Sequence, residues 1–351
     1  MKVTSKKIAE LANVSRGTVD RVLNKRSGVN PQTRERVEEI IRALDYQPNL
    51  IGKSLVKINS NEKFGFILTP DYNPFVWDIE KGIREAEEEL KAFGVSADIR
   101  MLKSLDIEEQ SAMIDEMVAQ KVSGIAMIPL VSDVIAQKID SLSSSDFPII
   151  TFNSQVNSKK QICFVGQDHY KGGVCAANLM SRLISDKIEI GIIISSHYLD
   201  CHINRLKGFT ERLADKNNQI RIVKVLENQD MDEKAFSHAI TLINTYPNLG
   251  GIYITGGGVA GVVNAMKYLD RRNIRLICHD YCMDTKKYLE DGLIDFAIGQ
   301  KPKKTGALLL QLLFDYKNKS KVKIPKVIDI PLEIATEDII EESTVTSYYN
   351  L

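Results

Sequence analysis

The chain has 351 residues, of which 44% are hydrophobic, and its 46 Lys and Arg balance its 46 Asp and Glu. This length exceeds one typical domain, so we expect two or three. No apolar run approaches the roughly 18 residues that span a membrane, and the N-terminus lacks the apolar core of a secretion signal. The five cysteines follow no disulfide-scaffold spacing, which favours reduced thiols. The sequence therefore predicts a cytoplasmic protein that has no membrane partner.

Residues 4–24 predict two short helices joined by a tight turn. Thr4 is the candidate N-cap of the first helix, which has Ile8 and Leu11 as its apolar stripe. Ser15 is the candidate N-cap of the second helix, and its inward-facing residues are Val19, Val22 and Leu23. The opposite face carries Arg16, Gly17, Asp20, Arg21 and Asn24. Such a polar helix can enter a DNA major groove, although similar helix pairs also occur in ordinary cores.

Three further features of the first 60 residues favour DNA binding. Asn30-Pro31 predicts the start of a third helix, with apolar spacing at Val37, Ile40, Ile41 and Leu44. Residues 1–60 hold 12 Lys and Arg against 6 Asp and Glu, which concentrates positive charge where phosphates would bind. Residues 46–57 predict a segment too short to form a stable helix unless it folds against DNA or a second copy. An ordinary linker is the alternative for that segment.

Residues 3–55 resemble the DNA-binding head of the lactose-repressor (LacI/GalR) family of transcriptional regulators. The matching residues are Ile8-Ala9, Ala12, Val14-Ser15, Thr18-Val19, Arg21-Val22, Asn24, Thr33-Arg34, Val37 and Tyr46-Gln47-Pro48-Asn49. The resemblance implies base contacts from Arg16, Gly17 and Arg21, and backbone contacts from Ser15, Thr18 and Asn24. It implies that Leu55 wedges into the minor groove of bent DNA. Asp20, on the same polar face, stands where the family commonly has Ser.

From residue 61 onward the pattern alternates between strands and helices. The strand-like runs are residues 64–68, 95–101, 124–128, 149–152, 163–165, 188–194, 220–226, 251–254, 276–279, 296–299 and 327–330. Alternation of this kind predicts parallel sheets covered by helices on both faces. The number of strands favours two doubly wound lobes, with crossings near Gly166 and near Gln300. The predicted fold class is therefore an all-α helix-turn-helix head followed by a two-lobed α/β domain.

Polar residues gather directly after several predicted strands. They are Asp71, Asn73, Asn153, Ser154, Ser195, Ser196, Thr255, Asp280 and Gln300. Ligands of open α/β sheets bind beyond the carboxyl ends of the strands, so we expect these side chains to converge, although such residues also cap helices. Phe75 and Trp77 follow the first strand and can stack on an apolar sugar face. This mixture predicts a small polyhydroxylated ligand.

Residues 62 to about 335 resemble the periplasmic sugar-binding-protein fold, and the ribose-binding pattern is the most similar. The resemblance implies ligand contacts from Asn73, Phe75, Asn153, Arg205, Asp280 and Gln300, to which we add Trp77. Asn153-Ser154 stands where sugar binders commonly have Asp-Arg. Gly256-Gly257-Gly258 replaces a polar segment that contacts ligand, so the effector is expected to be a sugar or sugar derivative other than ribose.

Gly256-x-Gly258-x-x-Gly261 supports an alternative reading, because it follows a strand and opens a helix. With Asp280 after the next strand, it matches a dinucleotide fingerprint and would make the chain a nicotinamide-sensing regulator or an NAD-dependent enzyme. Cys278-His279-x-x-Cys282 lacks the second ligand pair of a zinc site, so no metal or cofactor is predicted. The scattered histidines form no recognisable catalytic motif, so no enzyme is predicted.

These observations predict a ligand-responsive transcriptional regulator, with repression the expected mode. The expected domains are a helix-turn-helix head (1–46), a hinge (47–60), a two-lobed effector and dimerisation domain (61–341) and a tail (342–351). The first lobe is expected to comprise about 61–165 and 300–325, and the second about 166–299 and 326–341. The expected partners are operator DNA, a small effector and a second copy of the chain.

Overall fold

The computed structural model describes residues 8–9, 11–23, 28–43, 61–144, 146–184, 188–215, 220–318 and 323–337. The chain divides into two compact units, Met1–Asn59 and Ser60–Leu351. Within the described ranges, no helix is long and apolar enough to cross a membrane.

The first unit is a small helical core. Residues 8, 9 and 11 are helical, and helices α1 (Arg16–Leu23) and α2 (Pro31–Ala43) follow. Its buried residues are Ile8, Ala9, Ala12, Val19, Val22 and Val37. The predicted caps of both later helices are confirmed, because Ser15 Oγ accepts from the Thr18 amide at 3.1 Å and Asn30 Oδ1 accepts from the Gln32 amide at 2.9 Å. The Thr4 cap and Leu44 lie outside the described residues.

The predicted apolar stripe of the first helix is wrong at one position. Leu11 is 51% exposed, whereas Ala9 and Ala12 are buried beside Ile8. A core of three short helices lets the backbones approach closely, so alanines fill the inward positions and the larger leucine projects outward. Asn13 then turns the chain with φ of 50°, a left-handed conformation that Asn adopts more readily than most residues.

The second unit alternates strands and helices along its length. Its elements are β1 (Lys63–Leu68), α3 (Pro74–Leu90), a 3₁₀ turn (Lys91–Phe93), β2 (Ser96–Met101), α4 (Ile107–Ala119), β3 (Ile125–Met127), α5 (Asp133–Leu142), β4 (Ile149–Phe152), β5 (Cys163–Gly166), α6 (His169–Leu183), β6 (Glu189–Ile194), α7 (Asp200–Asp215), β7 (Arg221–Glu227), α8 (Asp232–Thr245), β8 (Leu249–Ile254), α9 (Val259–Tyr268), β9 (Arg275–His279), α10 (Met283–Glu290), β10 (Phe296–Gly299), α11 (Pro302–Asn318), β11 (Val327–Asp329) and β12 (Glu333–Ala335).

The strands form two six-stranded sheets, one in each lobe. The first lobe has the order β11-β5-β4-β3-β1-β2, and the second has β12-β10-β9-β8-β6-β7. Neighbouring strands are parallel except for the antiparallel pair of β10 and β12. Most strand residues are buried, as expected for sheets with helices on both faces. The predicted pair of doubly wound lobes is therefore confirmed.

The chain crosses between the lobes later at its C-terminal end than the sequence predicts. Residues 326–341 are predicted to belong to the second lobe, but β11 pairs with β5 of the first sheet. In the described part of this segment, it is β12, which the sequence analysis missed, that joins the second sheet. A three-residue strand carries too little periodicity to reveal which of two sheets it extends.

Candidate functional site

The cleft between the lobes is formed where the carboxyl ends of the two sheets face each other. Hydrogen bonds cross it: the Val131 amide donates to the Tyr198 carbonyl at 2.8 Å, and the Asp200 amide donates to Ser154 Oγ at 2.9 Å. Asn73 and Asp280 line a common cavity. Asn73 follows β1 in the first lobe and Asp280 follows β9 in the second. Residues from both lobes therefore make a common polar site.

Asp280 lies next to three other predicted ligand residues, Asn73, Arg205 and Gln300. Its carboxylate accepts from the Gln300 side chain, and the Asn73 side chain lies close enough to lower its pKa. Asn73 also caps α3, because its Oδ1 accepts from the Phe75 amide at 3.0 Å. Burial raises the pKa of the Asp280 carboxyl, while the nearby Arg205 guanidinium and the two side-chain amides oppose that rise. The Asp280 carboxylate is thus a hydrogen-bond acceptor next to the Asn73 and Gln300 side chains, which hydrogen bonds already hold in place.

Arg205 is the most unusual side chain of the cleft. It lies in α7, is 1% exposed, and donates from Nη1 to the Thr255 carbonyl at 2.7 Å. Its Nε and Nη2 are buried without a hydrogen-bond partner. A buried charged donor without a partner carries a large desolvation cost. Arg205 Nε and Nη2 are therefore available to donate to an acceptor such as a ligand hydroxyl.

Close helix packing positions Arg205. A Cβ at Gly173 of α6 would lie 2.1 Å from the Arg205 carbonyl, and one at Gly208 of α7 would lie 2.1 Å from the Tyr170 carbonyl. Only glycine allows the two helices to approach this closely. The first turn of α7 is further tied to the first lobe, where Ser154 Oγ accepts from the Asp200 amide at 2.9 Å.

Asn153 also faces the second lobe. Its φ is 58°, its Nδ2 lies 4.0 Å from Cys201 Sγ of α7, and its Oδ1 is buried without a partner. Its carbonyl contacts His169 Nε2 at 2.5 Å. The structure therefore brings Asn73, Asn153, Arg205, Asp280 and Gln300 to the interface of the two lobes.

Sequence reasoning missed Asp230, the second buried acid of the cleft. Its Oδ1 accepts from the Gly257 amide at 2.6 Å. Burial raises the pKa of its carboxyl to about 6. Asp230 lies just after β7, so the rule that found Asp280 could also have found it.

The glycine turn after β8 is filled by protein groups. Gly257 donates to Asp230, and the Gly261 amide donates to Asp232 at 3.2 Å. A Cβ at Gly256 would lie 2.4 Å from the His202 ring. Carboxylates thus occupy the amides that a pyrophosphate would need, and they would repel it. The dinucleotide interpretation is therefore not favoured.

Three buried histidines lie near enough to Arg205 for its charge to lower their pKa values. Burial, and secondarily the Arg205 charge, lowers the pKa of His202 to about 3 and the pKa of His169 well below its ordinary value. The pKa of His279 is lowered in the same way. His202 Nδ1 lies 3.0 Å from Thr255 Oγ1, and His279 Nε2 lies 2.8 Å from the Tyr253 hydroxyl. These imidazoles are neutral at pH 7, so they add no positive charge.

Aromatic side chains occupy the mouth of the cleft. Trp77 is 50% exposed and, together with Tyr72, Asn73 and Asp280, lines a cavity of about 90 Å³. Phe75 is buried, so its ring is not available to stack on a ligand. Its backbone amide instead donates to Asn73 Oδ1 and so helps to position that side chain. Of the two predicted stacking rings, Trp77, in the first turn of α3, is therefore the exposed one.

Cys278, His279 and Cys282 lie together near this cleft without the donor set of a metal site. In the described part of the chain, no group of three or more His, Cys, Asp or Glu residues could hold a metal ion. Cys282 Sγ lies 3.5 Å from Thr285 Oγ1.

A separate candidate site is the exposed face of α1 in the first unit. Gly17 and Arg21 are exposed, while Val19 and Val22 on the opposite face are buried. Ser15 and Thr18 lie at the N-terminal end of the helix, 3.0 Å apart between their hydroxyl oxygens. Arg16 and Asp20 also belong to α1. Asn24 and Leu55 fall outside the described residues.

Comparisons with known proteins match both units. Residues 4–49 match the model of bacterial regulatory proteins of the lacI family, and residues 64–321 match the periplasmic binding protein domain. The regulator MalR of Streptococcus pneumoniae is 26% identical over 280 residues, which cover 75% of this chain and 79% of MalR. The repressor PurR of Haemophilus influenzae is 27% identical over 64% of both chains. The arabinose-binding protein AraP of Geobacillus stearothermophilus is 26% identical with a TM-score of 0.64, covering 80% of this chain and 98% of AraP.

Proposed function

The chain belongs to the LacI family of bacterial regulatory proteins and is a ligand-responsive DNA-binding regulator, and we propose that its effector is an uncharged sugar or sugar derivative. The observation that carries the proposal is the buried Arg205 fork with two free donors beside the Asp280 acceptor. Hydroxyl groups can satisfy both because each can donate and accept. The resemblance to AraP, an arabinose-binding protein, supports the same ligand class.

The charges of the cleft favour an uncharged effector. Among the described residues, Arg205 is the buried cation near Asp230 and Asp280, and the nearby histidines are neutral. A sugar phosphate or uronate would bring its own negative charge next to two acids in a low-dielectric site. No nicotinamide cofactor, metal or catalytic step is part of the proposal.

The polar face of α1 is proposed to bind operator DNA. Arg16, Gly17, Asp20 and Arg21 would face the bases of the major groove, and Ser15, Thr18 and Asn24 the phosphates. Leu55 would wedge into the minor groove from the 47–60 hinge. Two heads of a homodimer would read a pseudo-palindrome, since two-fold symmetry in the protein requires it in the site. Such a regulator works where the chromosome lies, so cytoplasmic location is part of the proposal.

Effector and operator would be coupled through the two-lobed domain. An effector held by Asn73 and Asn153 from one lobe and by Arg205 and Asp280 from the other stabilises the closed cleft. Because the coupling is reciprocal, operator binding must alter effector affinity by the same factor.

The experiment is a thermal-shift screen of the full chain against sugars, polyols, nucleosides, sugar phosphates and NAD. The expected result is a rise in melting temperature with one class of uncharged sugar and none with its phosphate. A response confined to phosphates, nucleosides or NAD would contradict the proposal.

A further inference from the structure

The cleft continues beyond the polar site into a second, larger space, here called the outer chamber. It has a volume of about 600 Å³ and is lined by Pro70, Tyr72, Ser104, Leu105, Asp106, Ile107, Glu108, Tyr198, Gln229, Asp230 and Met231. Pockets that hold drug-sized ligands span roughly 300–1,000 Å³. The outer chamber therefore has room for a group much larger than the cavity of about 90 Å³ beside Trp77 can hold.

Two residues join the outer chamber to the polar site. Tyr72 lines both spaces. Asp230 lines the chamber and also binds the Gly257 amide of the glycine turn at 2.6 Å. A ligand that contacts Asp280 can thus extend outward past Tyr72 without leaving the cleft.

The two tyrosines of the outer chamber come from different lobes. Tyr72 of the first lobe is 42% exposed, and Tyr198 of the second is 49% exposed. The Tyr72 hydroxyl donates to the Lys103 carbonyl at 2.9 Å, which fixes its ring in advance of binding. Half-exposed aromatic rings at a cleft mouth gain free energy when an apolar ring face covers them.

The polar groups of the outer chamber favour hydroxyls over anions. Its lining residues, all in the described part of the chain, include the carboxylates of Asp106, Glu108 and Asp230 and no lysine or arginine. Lys234 donates to the side chain of the wall residue Gln229. Carboxylates accept hydrogen bonds from sugar hydroxyls and repel phosphate.

We infer that the effector is an uncharged saccharide of at least two rings, with one ring at Arg205 and Asp280 and the next in the outer chamber between Tyr72 and Tyr198. This inference rests on the proposed function and narrows its ligand class. A monosaccharide would satisfy the polar site and leave both tyrosines uncovered. A second ring adds contacts to both lobes, so it also stabilises closure.

The test is titration calorimetry of the full chain with matched saccharides: glucose, galactose, xylose and arabinose, disaccharides of each, and the corresponding 6-phosphates of glucose and its disaccharides. One disaccharide is expected to bind at least about tenfold more tightly than either component sugar, and than any phosphate. Tyr198→Ala should weaken that disaccharide about three- to tenfold and leave its component sugars unchanged. The backbone contacts of Tyr198 remain in this variant.

The matched control is Tyr268→Ala, which removes an exposed tyrosine of the same lobe that does not line the chamber. It should bind every saccharide as the parent does. Equal affinity for a monosaccharide and its disaccharide, or an unchanged disaccharide affinity in Tyr198→Ala, would overturn the two-ring inference alone, provided that Arg205→Ala still abolishes binding. Absence of binding by every saccharide would overturn both this inference and the proposed ligand class.

Discussion

The Arg205 guanidinium donates to the Thr255 carbonyl at 2.7 Å, and this bond fixes the direction in which its two free donors point. Thr255 follows β8, so its carbonyl lies at the carboxyl end of a central strand of the second sheet. Because the fork is held by backbone, little side-chain entropy remains to be lost when a ligand binds. A rigid, desolvated donor pair is a demanding arrangement that favours one ligand geometry over others.

Replacing Arg205 by Ala should abolish effector binding while the head still binds DNA. Loss of the fork leaves ligand oxygens unpaired in a buried site, which costs about 1–3 kcal/mol for each group. Calorimetry of the full chain with the saccharide found in the screen measures the effect. Lys207→Ala is the matched control, because Lys207 is an exposed cation of the same helix. Similar losses in both variants would show that general charge, not the fork, governs affinity.

Replacing Asp280 by Asn should weaken effector binding by at least about tenfold. The variant keeps the shape of the side chain but substitutes a donor for one acceptor oxygen, next to the Gln300 amide that already donates and near the Asn73 amide. Asp280 has φ of 72°, which Asn also tolerates. Asp270→Asn supplies the control, since Asp270 is exposed and has φ of 51°. Binding by Asp280→Asn within about twofold of the parent would remove Asp280 from the site.

Replacing Asp230 by Asn should stabilise the chain relative to the parent, more at pH 7 than at pH 4. Burial raises the pKa of Asp230 from 3.8 to about 6, so between these values the folded state holds more protons than the unfolded state. The free energy of unfolding contributed by this group therefore falls as pH rises through that window, by on the order of 2–3 kcal/mol. The Asn variant lacks that loss.

The measurement for Asp230 is urea unfolding of both proteins at several pH values, compared as a difference. The buried histidines also make stability depend on pH in this range, because the unfolded chain binds protons that the folded chain does not. For His202, the free energy of unfolding falls as pH drops from the ordinary pKa of 6.5 towards about 3, which would obscure the absolute curves. The histidines contribute equally to both proteins and cancel. A stability difference that does not change between pH 4 and pH 7 would contradict the account of Asp230.

Replacing Arg21 by Ala should weaken operator binding more than binding to random DNA. Arg21 is exposed on α1, and a bidentate contact to a guanine would contribute about 1–3 kcal/mol of discrimination. Fluorescence anisotropy with both duplexes over a range of salt concentrations measures it. Arg36→Ala removes the same charge from α2 and should affect both duplexes alike. Equal losses on operator and random DNA in Arg21→Ala would show that Arg21 contacts only phosphate.

The strands and the head are predictable from sequence because their signals are local. Residues 149–152 and 296–299 read as apolar runs, and the strands begin and end at those residues. Asn30-Pro31 likewise predicts the start of α2. Leu11 was predictable only as apolar, since its exposure depends on how closely three helices pack.

The site was less predictable because it depends on how two lobes face each other. Asp280 and Gln300 could be found at strand ends, but their hydrogen bond joins segments 20 residues apart. Asp230, like Asp280, closely follows a strand of the second sheet. It was missed because the resemblance to sugar-binding proteins implied no ligand contact at that position. The outer chamber could not be inferred at all, because only the fold places Tyr72 and Tyr198 in the wall of the same space.

Operator affinity measured with and without the effector tests most directly whether a ligand at Arg205 controls DNA binding. The full chain would be titrated onto an operator selected from random duplexes, at fixed salt, in the presence and absence of the saccharide from the screen. The account predicts that effector changes the affinity of the parent by at least about fivefold, the lower end of allosteric coupling, and leaves that of Arg205→Ala unchanged. An unchanged parent, or an Arg205→Ala variant that responds as the parent does, would contradict it.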